Sequence, residues 1–403
     1  MSHLQFLRRF ALLALLFSFF ASGCSDSTSQ SRDAATADAS AARDTESFDT
    51  TMPVDASSGN ADMGQPDAAT VGPLDIGAGP DVEQSPDGST STPPDAGLDA
   101  GGQAPPPATI IVLPDTQYYA SSYPSVFNGQ TAWIVAQQSV LNIAAVLHVG
   151  DIVDSDLTVQ WTVANPAMRQ LDNVVPYDVV PGNHDYSTAN RGSMIDNYFA
   201  PASMPWITGT MKPGQIENNY ALIDIGPKRW LILGLEFGPR DAVLTWADSV
   251  LKTYANYPAI LLTHAYLYAD GTRYDINVGG TDSNASNYQY WSPWYYGFTA
   301  SEGINDGEAM WQKLVLPNSN VRLVFCGHQT GWARLTSTRP DGTTVHQMLS
   351  DYQWLQGENF GFGYLRVVQL DYGKKTIQVQ TYSPYLNAYI DDDPNQFTLD
   401  LNL

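Results

Sequence analysis

The first clear pattern in the chain is an alternation of short apolar runs with longer amphipathic stretches, and it begins near residue 109. Short apolar runs predict buried strands, and the amphipathic stretches between them predict helices. The first strands are predicted at Thr109–Val112, Ala144–Val149 and Tyr177–Val180, and the helices between them at Ser125–Ile143 and Leu157–Leu171. This βαβαβ succession predicts a layered α/β domain.

The same pattern continues to the end of the chain, where strands become more frequent than helices. The two remaining helices are predicted at Asp241–Tyr254 and Gly307–Leu316. The strands are predicted at Tyr220–Ile225, Trp230–Leu235, Ala259–Thr263, Val321–Cys326, Val345–Met348, Tyr364–Asp371 and Thr376–Thr381. We expect the first two of these to form a hairpin and the last three to form a closing antiparallel sheet.

Residues 25–108 have a different composition from the rest of the chain. Of the 46 Phe, Tyr and Trp residues in the 403-residue chain, only Phe48 lies in this segment, which consists mainly of Asp, Ala, Ser, Thr, Gly and Pro. Such a segment cannot bury enough apolar surface to fold. We therefore predict a disordered acidic tether at 25–108 and a folded domain at 109–403.

The amino terminus has the pattern of an export signal. Arg8 and Arg9 precede an apolar run from Phe10 to Phe20, which is too short to span a bilayer comfortably as a permanent helix. The small residues before Cys24 resemble the lipobox of bacterial lipoproteins, and a secretory signal that is cleaved elsewhere is the alternative. The resemblance implies that 1–24 is a lipoprotein signal peptide. It also implies export and anchoring to the cell envelope through the Cys24 lipid, at the outer membrane or the cell surface.

The charge balance limits the partners of the protein. The chain has 42 Asp and Glu residues against 19 Lys and Arg residues, and its formal net charge is −23. Removing the −13 of the tether and the +2 of the signal leaves −12 for residues 109–403. Nucleic acids bind proteins mainly through phosphate neutralisation by Lys and Arg. The charge therefore excludes general nucleic-acid binding.

Residues that can bind metals follow five of the predicted strands. In open α/β sheets, ligands bind in the crevice outside the carboxyl ends of the strands. Carboxylate and amide oxygens combined with imidazoles are typical of a site for Mn, Fe or Zn rather than of a calcium cage or a thiolate zinc site. The candidate residues are Asp115, Gln117, Asp151, Asp154, Asn183, His184, Asp185, His264, His328 and Gln329.

The order of these residues carries a resemblance to a known family. The succession DxQ, GDxxD, GNHD, a His after a strand, and GH resembles the calcineurin-like metallophosphoesterases over nearly all of residues 109–390. It also resembles a secreted bacterial lipoprotein subgroup with DTQ as its first motif. The resemblance implies two β-sheets packed face to face as a sandwich, flanked by helices, with a dinuclear metal centre at their edge.

The resemblance also implies the ligands of two divalent cations. Asp151 would be the bridging carboxylate. The family has His where Gln117 and Gln329 stand, so we expect the second site, at Asp115 and Gln117, to be weaker and to hold Mn or Mg. The first site is expected to bind Mn, Fe or Zn through Asp151, Asn183, His264 and His328.

The function implied is hydrolysis of a small-molecule phosphate ester by a metal-activated hydroxide. In this family position His184 would protonate or stabilise the leaving oxygen, and Asp154 would hold its tautomer. Asp185 is expected to brace its loop. The alternatives are a phosphomonoesterase or nucleotidase rather than a diesterase, and a surface binding protein with a catalytically degenerate site.

A long aromatic segment, 266–298, follows His264 directly. We expect it to form either a substrate wall that includes Tyr266 or a cluster packed under the loop. Arg240 and Arg273 are candidate phosphate ligands, and structural ion pairs are the alternative for both. Two further histidines, His148 and His346, are interpreted as structural, and an approach to the second cation site is the alternative for His346.

Overall fold

The computed structural model describes residues 105–280, 282–283, 285–355 and 360–403. The predicted signal peptide with Cys24, and the predicted tether up to residue 104, lie outside the described residues. Within the described part of the chain, no helix combines the length and the apolar composition needed to cross a bilayer.

The described residues contain fourteen strands in two seven-stranded sheets. In chain order the strands are β1 (Ala108–Leu113), β2 (Ile143–His148), β3 (Tyr177–Val179), β4 (Ile207–Thr210), β5 (Asn219–Ile225), β6 (Lys228–Leu235), β7 (Ala259–Thr263), β8 (Val321–Cys326), β9 (Gly331–Thr338), β10 (Thr344–Asp351), β11 (Leu365–Asp371), β12 (Thr376–Ser383), β13 (Ala388–Ile390) and β14 (Phe397–Asp400).

Helices connect many of these strands. They are α1 (Gln117–Ser121), α2 (Pro124–Gln137), α3 (Thr158–Arg169), α4 (Ile195–Tyr198), α5 (Asp241–Thr253), α6 (Ile276–Gly279), α7 (Pro293–Tyr296) and α8 (Gly307–Met310). A π-helical segment, Trp311–Val315, continues α8, and short 3-10 turns lie at Pro201–Ser203 and Ala300–Glu302.

Both sheets mix parallel and antiparallel pairs. The first has the order β13-β12-β11-β1-β2-β3, with β14 also paired to β12, and its β1, β2 and β3 run parallel. The second has the order β4-β5-β6-β7-β8-β10-β9, and its β6, β7, β8 and β10 run parallel. Parallel strands end at the same edge of a sheet, so each sheet presents several carboxyl ends together.

The two sheets pack face to face, and helices cover their outer faces. Successive side chains of a strand point to opposite faces. Ile110 and Val112 of β1 accordingly join a core shared with the second sheet, whereas Ile111 packs on the opposite side in a core with α2 and α3. In the second sheet, Leu261 packs outward towards α5. The predicted fold class, a sandwich of two sheets flanked by helices, is confirmed.

Several local predictions were wrong. The strand predicted at Val345–Met348 does not form one closing antiparallel sheet with the next two strands: β10 lies in the second sheet, parallel to β8, whereas β11 and β12 lie in the first. The helix predicted to run to Ile143 ends at Gln137, because Ile143 pairs with Thr109 and begins β2. The short strands β4, β13 and β14 were not predicted. Neither was the strand Gly331–Thr338, which has no apolar run and whose residues are mostly half-buried or exposed. It forms the outer edge of the second sheet beside β10.

Candidate metal centre

The candidate centre lies where the carboxyl ends of strands from both sheets meet. Hydrogen bonds join these ends across the sandwich: Val149, after β2, accepts a hydrogen bond from His264, after β7. The N–H of Gly327, after β8, donates to the carbonyl of His264 at 2.8 Å. The residues that follow the strands there are Asp115, Asp151, Asn183, His264 and His328.

Asp151, His264 and His328 form a buried cluster. One potential ligand atom from each lies within 4.8 Å of the other two. Nε2 of His264 lies 3.2 Å from Oδ2 of Asp151. Because the Val149 carbonyl can only accept, Nδ1 of His264 donates to it at 2.9 Å, which leaves Nε2 facing Asp151 with its lone pair available. This is the arrangement by which a second hydrogen bond orients a metal-binding imidazole.

The donor atoms of this cluster fit a bound cation. His264 Nε2, Asn183 Oδ1 and Gln117 Oε1 are all buried without a hydrogen-bond partner. A buried polar atom left unsatisfied typically costs about 1–3 kcal/mol. Bound divalent cations would satisfy these atoms, which are nitrogen and oxygen donors of the kind that such metals accept.

His328 is oriented by the aromatic loop. Its Nε2 lies 2.6 Å from the carbonyl oxygen of Trp291. Since that oxygen can only accept, Nε2 donates and Nδ1 is left as the ligand nitrogen. Burial, together with the nearby His264, lowers the pKa of His328 to about 3. The ring is therefore neutral at physiological pH, which is the form that binds a metal.

Strained and tightly packed turns hold the ligands in place. Asp151 and His328 both have left-handed backbone, with φ of 47° and 71°, and such strain in non-glycine residues is concentrated at functional sites. Gly182 and Gly327 allow close approach. A Cβ on Gly182 would lie 2.0 Å from Oδ1 of Asp151, and one on Gly327 would lie 2.1 Å from Oδ1 of Asp115.

Asp115 lies against the turn that carries His328. Its carboxylate accepts the backbone N–H of His328, at 3.1 Å from Oδ2. Burial raises the pKa of Asp115 well above its ordinary value, and the charges of Asp351 and Asp151 raise it further. Asp115 is therefore a carboxylate that needs a positive charge beside it to stay ionised.

The predicted structural role of His148 agrees with its contacts. Its Nδ1 accepts the N–H of Gly150 at 3.2 Å, and its Nε2 lies 2.9 Å from Oγ1 of Thr116. The ring thus ties the turn after β1 to the turn after β2. His346 lies elsewhere on β10, where its ring bonds Oγ1 of Thr336 and the carbonyl of Asp400.

His184 projects beside the cluster and is partly exposed. Its Nδ1 donates to the carbonyl oxygen of Asp154 at 2.8 Å, whereas the Asp154 carboxylate lies 3.8 Å away. The main chain of Asp154, rather than the predicted carboxylate, is thus the closer group that fixes the tautomer. Burial lowers the pKa of His184, but the charge of Asp151 and the Asp154 carbonyl outweigh it and raise the pKa above 6.5. These interactions favour the protonated ring, in which Nε2 carries a proton.

Asp185 braces the loop, as expected. Its carboxylate accepts backbone N–H groups from Ile152 at 3.2 Å, Val153 at 3.0 Å and Gly182 at 2.8 Å. These bonds hold the turn after β2 to the turn after β3. The oxygens of Asp185 are thus engaged by the scaffold of the site.

Both candidate arginines form structural ion pairs. Arg240 binds the buried Glu236 at 2.8 Å and Glu302 at 2.9 Å. Arg273 binds Glu308 at 2.8 Å and stacks over the ring of Trp311 at 4.0 Å. The structure favours the alternative considered for them, because each guanidinium already has carboxylate partners.

Two further candidates have surroundings other than those predicted. Tyr266 is fully buried in the core behind the second sheet, so its ring cannot form a substrate wall. Gln329 accepts the hydroxyl of Tyr274 at 2.7 Å through Oε1, the atom that was expected to bind a cation. The hydrogen bond turns this carbonyl towards the aromatic loop.

The described part of the aromatic loop contains both a packed and an exposed set of rings. Tyr274 is fully buried beside His328, with their ring centroids 6.0 Å apart. A group of exposed rings lies further along the loop. These are Tyr290, Trp291, Trp294 and Tyr295.

Sequence analysis missed one buried carboxylate, Asp351. It lies at the end of β10 and is fully buried. Burial raises its pKa to about 7, to which the charge of Asp151 contributes. The only sequence signal was its position three residues after the predicted apolar run Val345–Met348, the same spacing that Asp115 has after Thr109–Val112.

The sequence and the fold together agree with one known family. The family model described as calcineurin-like phosphoesterase matches residues 108–330. The chain belongs to the calcineurin-like phosphoesterase family. This confirms the predicted family, whose members are dinuclear metal-dependent phosphoesterases, whereas the lipoprotein subgroup stays a prediction.

A bacterial relative matches most of this chain. The uncharacterized protein YvnB of Bacillus subtilis (strain 168) is 35% identical over 321 residues, which are 74% of this chain and 22% of YvnB. The chain thus spans less than a quarter of that relative.

Two solved structures are similar at low identity. GAP50, the anchor in the inner membrane complex of Plasmodium, is 13% identical with a TM-score of 0.39, over 74% of this chain and 89% of GAP50. The NAD nucleotidase NadN of Haemophilus influenzae is 12% identical with a TM-score of 0.31, over 74% of this chain and 51% of NadN.

Proposed function

We propose that the chain is an exported, lipid-anchored phosphoesterase that hydrolyses small-molecule phosphate esters with the help of two divalent cations. The observation that carries the proposal is the buried cluster of Asp151, His264 and His328, with three unsatisfied donor atoms around it. Family membership supports the reaction class.

The first cation site would use Asn183 besides the three clustered residues, and the second would use Asp115 and Gln117. When bound, divalent cations acidify water and neutralise the charge of a phosphoryl group. The charge of Asp151 acts on both sites, since one of its oxygens lies 3.2 Å from His264 and its charge raises the pKa of Asp115.

His184 is the proposed general acid. Its Nδ1 is engaged by the Asp154 carbonyl, so the proton to be donated is on Nε2. The charge of Asp151 and the Asp154 carbonyl raise the pKa of His184 above its ordinary value, which favours the protonated ring. The partial exposure of the ring allows a leaving oxygen to reach it.

The exposed rings of the aromatic loop favour a substrate whose leaving group is organic. Trp291 is half exposed, and its carbonyl oxygen contacts His328, so this surface adjoins the centre. Flat rings can stack on such side chains, as nucleobases do on aromatic residues. The chemistry of the centre accommodates both monoesters, as in a phosphomonoesterase or nucleotidase, and diesters.

Export and anchoring are supported by the sequence alone. Cys24 lies outside the described residues, and its lipidation is inferred from the apolar run followed by small residues. The acidic segment after it would separate the catalytic domain from the membrane surface.

One experiment tests the proposed activity. The purified full-length chain is assayed against a panel of phosphate monoesters and diesters, then treated with a chelator, and then supplied with Mn²⁺. Turnover that disappears on chelation and returns with Mn²⁺ would support the enzyme. Binding of a panel member without turnover, at any metal loading, would support the alternative of a degenerate binding protein and contradict the proposal.

A further inference from the structure

The carboxylate of Asp351 lies at the edge of the sandwich where the candidate centre is. Strands β8 and β10 run parallel, and their last paired residues are Cys326 and Leu349. His328 and Asp351 each follow two residues later, so the two strands deliver both side chains at the same end. The backbone N–H of His328 in turn binds Asp115.

Three buried carboxylates therefore share this edge: Asp115, Asp151 and Asp351. Each interacts electrostatically with at least one of the others. Among the described residues no Lys or Arg forms an ion pair with any of them, and the basic partner is the imidazole of His264, 3.2 Å from Asp151. Buried carboxylates without a cation are strongly destabilising, because their desolvation is not compensated.

Unsatisfied amide oxygens accompany these carboxylates. Gln117 is 2% exposed, and its Oε1 has no hydrogen-bond partner. Gln353 is held to Asp351 by two hydrogen bonds of 3.0 Å, from its backbone N–H and from Nε2, and its own buried Oε1 is also without a partner. Each oxygen of Asp351 accepts one bond from Gln353 and keeps a lone pair for a further partner.

We propose that Asp351 is a ligand of the second cation. At this site Asp351 and Gln117 would take the place of the imidazole ligands that other members of the family have. The second site then consists of oxygen donors, with Asp115 and Asp351 as its carboxylates and the Gln117 carbonyl beside them. Oxygen-rich sites favour Mn²⁺ or Mg²⁺ over Zn²⁺. This inference rests on the proposed metal-dependent function and names a ligand that the family motifs do not contain.

The test counts metal ions in the full-length chain. Protein stripped by a chelator is titrated with Mn²⁺, and free Mn²⁺ is measured by electron paramagnetic resonance. We expect two ions per native chain. Asp351→Asn should retain one ion and lose the other or bind it at least about 100-fold more weakly, since even residues behind the ligands contribute about 10- to 100-fold.

A matched control removes another buried carboxylate. Asp178 on β3 is also fully buried, and burial raises its pKa to about 7. Asp178→Asn should keep both ions. If Asp351→Asn binds two ions with native affinity, or if Asp178→Asn loses one in the same way, the proposal is wrong.

Melting temperatures separate a ligand from a structural residue. Asp351→Asn removes a buried charge but also sets its amide group against one of the two N–H donors of Gln353, so the melting temperature of each metal-free chain serves as its own reference. The rise in melting temperature on addition of Mn²⁺ should be smaller in the variant than in the native chain. An equal rise in both chains would overturn the proposal.

Turnover distinguishes this inference from the proposed function. A native chain that binds two ions, loses one in Asp351→Asn and hydrolyses no phosphate ester would contradict the function and leave the ligand assignment standing. An active native chain whose metal count is the same in Asp351→Asn would contradict the ligand assignment alone.

Discussion

The backbone N–H of His184 donates a 2.9 Å hydrogen bond to Oδ1 of Asp151. The proposed general acid is thus fixed to the central carboxylate through the main chain, while its ring remains free to face a ligand. Binding of the cations and protonation of the leaving group are therefore assigned to different atoms of adjoining residues, and they can be separated by mutation.

Removal of a ligand imidazole should remove metal. We expect His264→Ala or His328→Ala to lower the affinity of the first site by more than about 100-fold and to reduce turnover by orders of magnitude, with metal content measured by elemental analysis. His346→Ala is the matched control, because this buried ring bonds Thr336 and Asp400 instead. Full metal content in both ligand variants would refute the assignment.

Removal of the proposed acid should leave the metal in place. We expect His184→Ala to lower turnover by about 10²- to 10⁴-fold, and the deficit should shrink for activated phenol esters, whose leaving groups need no proton. Metal content is the control measurement. If the variant loses its metal as fully as His328→Ala does, the role of His184 is wrongly assigned.

The pH dependence follows from the raised pKa of His184. A general acid is active in its protonated form, which predominates below the folded pKa. Turnover with poor leaving groups should therefore fall as pH rises through that pKa, which lies above 6.5, and His184→Ala should lack this alkaline limb. An unchanged limb in the variant would assign it to another group.

A methyl group at Gly182 should disrupt the centre. Its Cβ would lie 2.0 Å from Oδ1 of Asp151, so Gly182→Ala should displace the carboxylate and lower both metal content and melting temperature. Gly129 in α2 serves as control, because a Cβ added there would meet no atom within 4 Å. Gly129→Ala should instead stabilise the fold by about 0.5–1 kcal/mol, through helix propensity.

The anchor depends on one side chain. Cys24→Ser should move the protein from the membrane fraction to a soluble or precursor form, because serine cannot accept the lipid. Fractionation with labelled fatty acid checks this outcome. Labelling that persists in the variant would exclude lipidation at Cys24.

Much of the centre was predictable because each motif residue directly follows a strand that is visible in the apolar pattern. Asp115, Asp151 and His264 were found in this way. Asp351 was missed because its proximity to Asp115 arises from the pairing of β10 with β8, which local spacing does not show. Long-range sheet pairing is thus the information that single-sequence patterns lack.

Side-chain orientation was the second property that the sequence did not predict. Tyr266 follows His264 by two residues, yet its ring turns into the core behind the second sheet. Arg240 lies four residues after Glu236, and that spacing, together with the burial of Glu236, produced an ion pair rather than a free cation. In both cases packing decided the role, and the residue type did not.

The hydrogen bond between Trp291 and His328 makes loop position and metal affinity thermodynamically linked. A molecule that holds the loop in this arrangement also holds the imidazole in its metal-binding tautomer. By reciprocity, a bound cation must favour that same loop arrangement by an equal free energy. Substrate saturation and metal saturation would then be cooperative, so an affinity measured for either one has meaning only at a stated concentration of the other.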